Sequence, residues 1–154
     1  MTQGMSQTKH PILIVEDSPD DYYAAVRGLK SAGLANNFIH CETGESALDY
    51  LFRRKHYQDD KDWVLPHLVL LDLNLPGING GEVLEAMDDD KDLSLIPVIV
   101  LTTSDDPNDI QDSYAKGANS YICKPVDIDG FVGALKRLKD YWFEVVVLPG
   151  TRAP

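Results

Sequence analysis

Leu68-Val69-Leu70-Leu71-Asp72-Leu73-Asn74-Leu75-Pro76 is an apolar run that ends in one carboxylate and turns at Pro76-Gly77. Four consecutive apolar residues leave no polar face, so the run reads as a strand buried on both sides, the pattern of a parallel sheet covered by helices. A carboxylate at the end of such a strand stands where open α/β sheets bind ligands, in the crevice beyond the carboxyl ends of the strands. Apolar neighbours at 69, 70, 71, 73 and 75 make Asp72 hard to read as an ordinary solvated loop acid.

The same pattern recurs along the chain. Ile12-Leu13-Ile14-Val15 is a second apolar strand and also ends in acid, at Glu16-Asp17. Ser18 is an N-cap, Pro19 suits the first helical position, and Asp21 brings negative charge to the free N–H groups of the helix. Tyr22, Val26 and Leu29 follow at helical spacing until Gly33 supplies a stop. Phe38-Ile39-His40-Cys41 predicts a strand, and a helix follows from Glu45 to about Lys55 through Ala47, Leu48 and Leu51. His56 to Pro66 is polar and acidic and predicts an exposed connection. Gly80 to about Met87 predicts a third helix, and Asp88-Asp89-Asp90 at its C-terminal end opposes the dipole and predicts early fraying. Pro97 to Thr103 is the fourth strand, and Asp106-Pro107-Asn108-Asp109 opens a helix that Gly117 closes. Ser120-Tyr121-Ile122-Cys123 is the fifth strand, ending at Lys124-Pro125. A last helix begins near Asp127, with Phe131, Leu135, Leu138 and Trp142 on one face. Five strands alternating with five helices imply a parallel, doubly wound α/β sheet, for which 2-1-3-4-5 is a common strand order.

Composition narrows the function. The 154 residues are enough for one core, with 44% hydrophobic and 25% charged residues typical of a globular protein. A formal charge of −11 argues against a nucleic-acid backbone or an anionic membrane as partner and favours cations and basic protein surfaces. Met1 to His10 is polar and lacks the apolar region of a signal peptide, and no run is long enough to cross a bilayer, so a cytoplasmic protein with a frayed N-terminal tail is expected. Cys41 and Cys123 read as small apolar strand residues, and strands two and five lie at opposite edges, so no disulfide is expected between them. Tyr141 to Leu148 is rich in aromatic and β-branched residues and either continues the last helix or forms an extended arm. It is too apolar to be left in water.

In that strand order Glu16, Asp17 and Asp72 converge at one switch point. Carboxylates about 5 Å apart repel by roughly 3 kcal/mol per pair at an effective dielectric near 20, so the cluster calls for a cation. Oxygen-only ligands favour magnesium over zinc or copper. The ends of strands four and five add Thr102 and Lys124 to the same rim. A hydroxyl, an ammonium and a divalent ion facing one carboxylate suit a phosphoryl group. With Mg²⁺ and Lys124 the three acids are neutralised, and a phosphoryl group on Asp72 makes the site anionic again. Asp17, Thr102 or Lys124 alone reads as loop acid, strand residue or surface charge; the combination at four strand ends is what points to a site.

Taken together, Glu16-Asp17, Asp72 in "LLDLNLPGINGGEVL", Thr102 in "PVIVLTTS" and Lys124-Pro125 in "GANSYICKP" resemble the receiver domain of two-component response regulators over about residues 11 to 140. The resemblance implies the flavodoxin-like (βα)5 receiver fold, with residues 1–10 as a flexible tail and 141–154 as an apolar extension. It implies that Asp72 accepts a phosphoryl group from a phosphohistidine of a sensor histidine kinase, and that the domain catalyses only its own phosphorylation and dephosphorylation. Glu16 and Asp17 resemble the family's magnesium-binding acids, with Asp72 and the backbone carbonyl of Asn74 completing the protein ligands; Mn²⁺ or Ca²⁺ can substitute. Lys124 resembles the lysine that contacts the phosphoryl group, and its bond to Pro125 is usually cis in receivers. Thr102 and Tyr121 match the switch pair, hydroxyl and aromatic ring. Thr103 stands where many receivers have alanine, and Gly77 and Asn79 also depart from commoner choices.

A narrower resemblance runs through "ILIVEDSPDD", the acidic connection before "LVLLDLNLPG", "LTTSDDPNDI" and "YWFEVVVLP". These look like the stand-alone response regulators of phytochrome-type histidine kinases, from bacteriophytochromes and cyanobacterial phytochromes. That likeness implies a phytochrome-type kinase partner and a homodimer through helix 4, strand 5, helix 5 and the C-terminal extension. With about a dozen residues after the last helix, output is expected through interaction, either dimerisation or a relay to a histidine phosphotransfer protein. A magnesium phosphohydrolase would place a second Asp two residues after Asp72, where Asn74 stands. A flavin or nucleotide binder would want a glycine-rich loop where Ser18-Pro19-Asp20-Asp21 stands.

Overall fold

A computed structural model describes residues 10–34 and 37–124, and the helical positions Asp129, Val132, Gly133, Lys136 and Arg137. Within these residues five strands alternate with four α-helices. The order is β1 (Ile12–Val15), α1 (Pro19–Ser31), β2 (Phe38–Cys41), α2 (Gly44–Leu51), β3 (Leu68–Leu71), α3 (Gly80–Asp88), β4 (Val98–Thr102), α4 (Pro107–Ala115) and β5 (Ser120–Cys123). The strands form one sheet in the order β2-β1-β3-β4-β5, every neighbouring pair parallel. The expected fold and strand order are therefore observed. The five helical positions between 129 and 137 fall where the last helix is expected; its apolar face, the Lys124-Pro125 bond, the N-terminal tail and the extension 141–154 lie outside the described residues.

The unbroken apolar runs are explained by the two layers that cover the sheet. Every residue of β1, β3 and β4 is buried. Leu13, Val15, Val69, Leu71, Val98 and Val100 face α2 and α3 through Ala47, Tyr50, Leu51, Val83, Leu84 and Met87. Ile12, Ile14, Leu68, Leu70, Ile99 and Leu101 face the other way, toward Ala25 and Leu29 of α1. Alternate residues of each strand thus enter opposite cores, which is why the runs are apolar on both faces up to the strand ends, where the polar Thr102 stands.

Helix starts follow local chemistry. The Ser18 hydroxyl accepts from the Asp21 N–H at 3.3 Å, and Thr43 with Ser46 and Asn79 with Glu82 form reciprocal capping boxes. Asp106 caps α4, with Pro107 in its first turn. Gly33 (φ 94) and Gly117 (φ 106) take the left-handed conformation just past α1 and α4, as their spacing predicts.

Two expectations are corrected by tertiary contacts. The second helix ends at Leu51, not near Lys55, because Arg53 (φ 52) and Lys55 (φ 55) turn the chain back in the left-handed region. The Arg53 guanidinium holds that turn by donating to the carbonyls of Tyr57 (3.1 Å) and Asp60 (3.0 Å) and lying 4.9 Å from the centre of the Trp63 ring. The connection that follows is not simply exposed. Tyr57, Trp63 and Leu65 pack on the core, Pro66 is buried, the Trp63 indole donates to the Tyr50 carbonyl at 2.9 Å, and the Tyr50 hydroxyl donates to the Val64 carbonyl at 2.7 Å. The third helix ends at Asp88, about where its spacing predicts, and Asp90 serves the next turn, accepting from the N–H groups of Asp92 and Leu93 at 2.8 and 3.0 Å. Cys41 and Cys123 are free thiols on opposite edge strands. No helix of the described residues is long and apolar enough to cross a membrane.

His67 lies just before β3, its backbone N–H donating to the Pro11 carbonyl at 3.2 Å and its ring stacked on His10. Burial, helped by the neighbouring His10, pushes its pKa down to about 4 from 6.5. Below pH 6.5 the unfolded chain takes up a proton that the folded chain refuses, so this contribution is intact above 6.5 and is lost as pH falls toward 4. Urea denaturation at pH 7 and pH 4 is expected to show wild type losing about 3 kcal/mol more stability than His67→Gln over that interval. Equal losses would refute the assignment.

Candidate functional site

The register of β1 beside β3 pairs Val15 with Leu71, and the Asp72 N–H donates to the Val15 carbonyl at 3.0 Å, so the two strands deliver their acids side by side. One carboxylate oxygen each from Glu16, Asp17 and Asp72 lies within 4.8 Å of the others. Glu16 and Asp72 are 4% and 6% exposed, whereas Asp17 reaches solvent. Burial is the main force raising the Glu16 pKa to about 7; Asp72 adds to it, and the ion pair with Lys124 opposes it. Three hard oxygen donors, two of them desolvated, fit a divalent cation of the magnesium or manganese kind and do not suit a soft metal.

Lys124 enters from the other side. Pairing of Thr102 with Cys123 brings the end of β5 beside the end of β4, and the Lys124 N–H donates to the Thr102 carbonyl. Its ammonium meets Glu16 at 2.8 Å, Asp21 at 3.0 Å and Asp72 at 3.4 Å, so three carboxylates surround a group with three donors. The side chain is only 11% exposed. Burial pushes its pKa down, but the hydrogen bonds to Glu16 and Asp21 and the charges of Asp72 and Glu16 outweigh burial and hold it above the ordinary lysine value. Asp21 in this role escapes sequence reading, because its position after Ser18 and Pro19 is fully accounted for by the helix start.

The remaining residues fix orientation. The Asn74 N–H donates to Asp72 Oδ1 at 3.0 Å, and the Asn74 side-chain amide reaches the hydroxyl oxygens of Thr102 (3.2 Å) and Thr103 (3.4 Å). Thr102 is fully buried at 0% exposure. Tyr121 is half-buried, and its hydroxyl donates not to the acid cluster but to the Ser104 carbonyl at 2.9 Å. Ser104 is a second residue that no motif reveals. Its carbonyl also accepts from Cys123 Sγ at 3.4 Å, and its hydroxyl donates to Asp109 of α4 at 2.6 Å, so it joins β5 to α4.

Comparison with known proteins points to one family. Residues 12–136 match the family model of the response regulator receiver domain. The chain is 36% identical over 131 residues to the probable methanogenesis regulatory protein FilR2 of Methanothrix harundinacea, covering 85% of this chain and 82% of that protein. It is 34% identical over 148 residues to the response regulator Rcp1 of Synechocystis, covering 94% of this chain and 99% of Rcp1. The Mn²⁺-bound form of Rcp1 superposes with a TM-score of 0.81 at 34% identity, over 92% of this chain and 99% of that one. The phosphorylated cyanobacterial phytochrome response regulator RcpA superposes with a TM-score of 0.82 at 32% identity over the same shares, 92% and 99%.

Gly80 lets the loop after β3 close against the site. A Cβ there would stand 2.3 Å from the Asp72 carbonyl oxygen and 2.7 Å from the Leu73 Cα, both backbone atoms that cannot step aside without moving Asp72. Gly80→Ala is expected to destabilise the fold by about 1–3 kcal/mol, the usual cost of overpacking, as measured by urea denaturation. A variant as stable as wild type would show that the loop yields freely.

Proposed function

The chain belongs to the response regulator receiver family, and from that premise we propose that it is a receiver in which Asp72 accepts a phosphoryl group from a phosphohistidine of a phytochrome-type sensor histidine kinase. The observation that carries this reading is the placing of one buried carboxylate, Asp72, 3.4 Å from the Lys124 ammonium and within the Glu16–Asp17–Asp72 oxygen cluster. An Asp72 oxygen attacks phosphorus, the bond from phosphorus to the imidazole nitrogen breaks, and the histidine leaves with the electron pair. Lys124 supplies fixed positive charge to the phosphoryl oxygens without reorganising, because three carboxylates already hold it.

Glu16, Asp17, Asp72 and the backbone carbonyl of Asn74 are the proposed ligands of Mg²⁺. When bound, the ion offsets the repulsion between the acids and the incoming phosphoryl group. Thr102 and Tyr121 are the proposed switch. The Thr102 oxygen accepts from the Asn74 amide and retains its own O–H to offer a new acceptor on Asp72. A shift of Thr102 is passed to Ser104, two residues on, and so to Tyr121 and α4.

The likeness to Rcp1 and RcpA along nearly their whole length supports the phytochrome-type kinase as partner. We assign residues 11–140 to the receiver, 1–10 to an N-terminal tail and 141–154 to an extension that joins α4, β5 and the last helix in a homodimer. Exposed Tyr114 on α4 supports that surface. Two free thiols suit the reducing cytoplasm.

Incubation with Mg²⁺ and acetyl phosphate, followed by intact-mass measurement, is expected to give one hydroxylamine-labile phosphoryl adduct on wild type and none on Asp72→Asn. No adduct on wild type, or an equal one on the variant, would sink the phosphoacceptor role. Truncation after Asp140 is expected to delay elution in size-exclusion chromatography, from dimer to monomer; an unchanged volume would count against the extension as a dimer element.

A further inference from the structure

Glu16 carries a buried carboxylate, and its main chain is tied on both sides to the edge strand β2. Its N–H donates to the Cys41 carbonyl at 3.0 Å, and its carbonyl lies 2.8 Å from His40 Nε2. A carbonyl can only accept, so Nε2 carries the hydrogen and the imidazole is the donor. The Tyr22 ring lies over one face of that imidazole, centroids 3.7 Å apart and planes within 6°. Tyr22 in turn donates its N–H to the Ser18 carbonyl at 2.9 Å, and the Ser18 N–H donates to Glu16 Oε2 at 3.2 Å. The contacts therefore form a closed circuit that begins at the Glu16 carbonyl and ends at the Glu16 carboxylate.

Packing alone gives no reason for a histidine here. Phe38 and Ile39 occupy the same strand as apolar, half-buried residues, and a β-branched side chain would suit position 40 at least as well. What the imidazole adds is a donor aimed at the one backbone carbonyl that precedes Asp17.

We propose that His40, clamped by Tyr22, is a positioning residue for the metal-binding acids, holding the turn between β1 and α1 so that Glu16 and Asp17 present their oxygens toward Asp72. The proposal rests on the reading of Glu16 and Asp17 as metal ligands. His40 touches neither the metal nor the phosphoryl group; it acts through the Glu16 main chain. Partners of this outer kind commonly change metal affinity by one to two orders of magnitude.

The test is calorimetric titration of Mg²⁺, and separately Mn²⁺, into the unphosphorylated full chain, with thermal unfolding of the metal-free protein alongside. His40→Leu, which removes the donor, is expected to weaken binding about tenfold. His40→Gln, which keeps an N–H donor, is expected to stay close to wild type, and Tyr22→Leu is expected to fall between the two. Phe38→Ala, on the same strand but remote from the site, is expected to lower the unfolding temperature and leave the Kd unchanged. Wild-type affinity in His40→Leu would overturn the proposal. So would equal weakening in His40→Gln or in Phe38→Ala, since either would reduce the effect to a loosened strand. If His40→Leu does not fold, an unchanged Kd in Tyr22→Leu overturns it equally. A wild-type chain that binds neither ion would instead overturn the ligand reading on which the proposal rests.

Discussion

Mutual repulsion among carboxylates is the constraint around which this molecule is arranged. A parallel sheet with its first and third strands adjacent must deliver the acids at their ends to one place, and here that brings Glu16, Asp17 and Asp72 within 4.8 Å of one another. Two of the three are buried, where water can no longer screen them. The protein answers with one cation, Lys124, carried to the same point by the last strand of the sheet. Its hold on Glu16, Asp21 and Asp72 ties together β1, α1, β3 and β5, so a single ammonium links parts of the chain more than a hundred residues apart.

That arrangement is incomplete by charge. Among the described residues four carboxylates, counting Asp21, stand against one ammonium, and burial with the nearby Asp72 raises the Glu16 pKa to about 7. A proton on Glu16 is one way to relieve the excess, and a divalent cation is another, because both reduce the same Coulomb energy. The site is thus built to respond to whatever next changes its charge. Hydrogen bonds lead outward from it: the Asn74 amide donates to the Thr102 hydroxyl oxygen, the Tyr121 hydroxyl to the Ser104 carbonyl, and the Ser104 hydroxyl to Asp109.

Much of this was legible from residue order. The apolar runs of β1, β3 and β4 could only be strands covered on both faces, the N-caps Ser18 and Asp106 with their prolines opened helices where expected, and Glu16, Asp17, Asp72, Thr102 and Lys124 each stood at a strand end. Less legible was anything whose role depends on a distant partner. Trp63 and Tyr57 sit in an acidic stretch that reads as an exposed connection, yet Tyr50 and Arg53 draw them onto the core. Asp21 reads as a helix-start acid until Lys124 is found beside it, and His40 as a strand residue until its ring is seen between Tyr22 and the Glu16 carbonyl.

By itself the sequence determined the elements, their order and the residues that terminate each strand, because hydrophobic periodicity and capping act over a few residues and leave their mark in a short window. Only the tertiary structure decided which of those residues are partners: that Lys124 is shared by three acids, that Tyr121 bonds to Ser104, and that the turn bearing Glu16 is clasped by β2. Ion pairs and hydrogen bonds depend on separations of a few ångströms between segments far apart in the chain. Those separations exist only once the sheet has assembled.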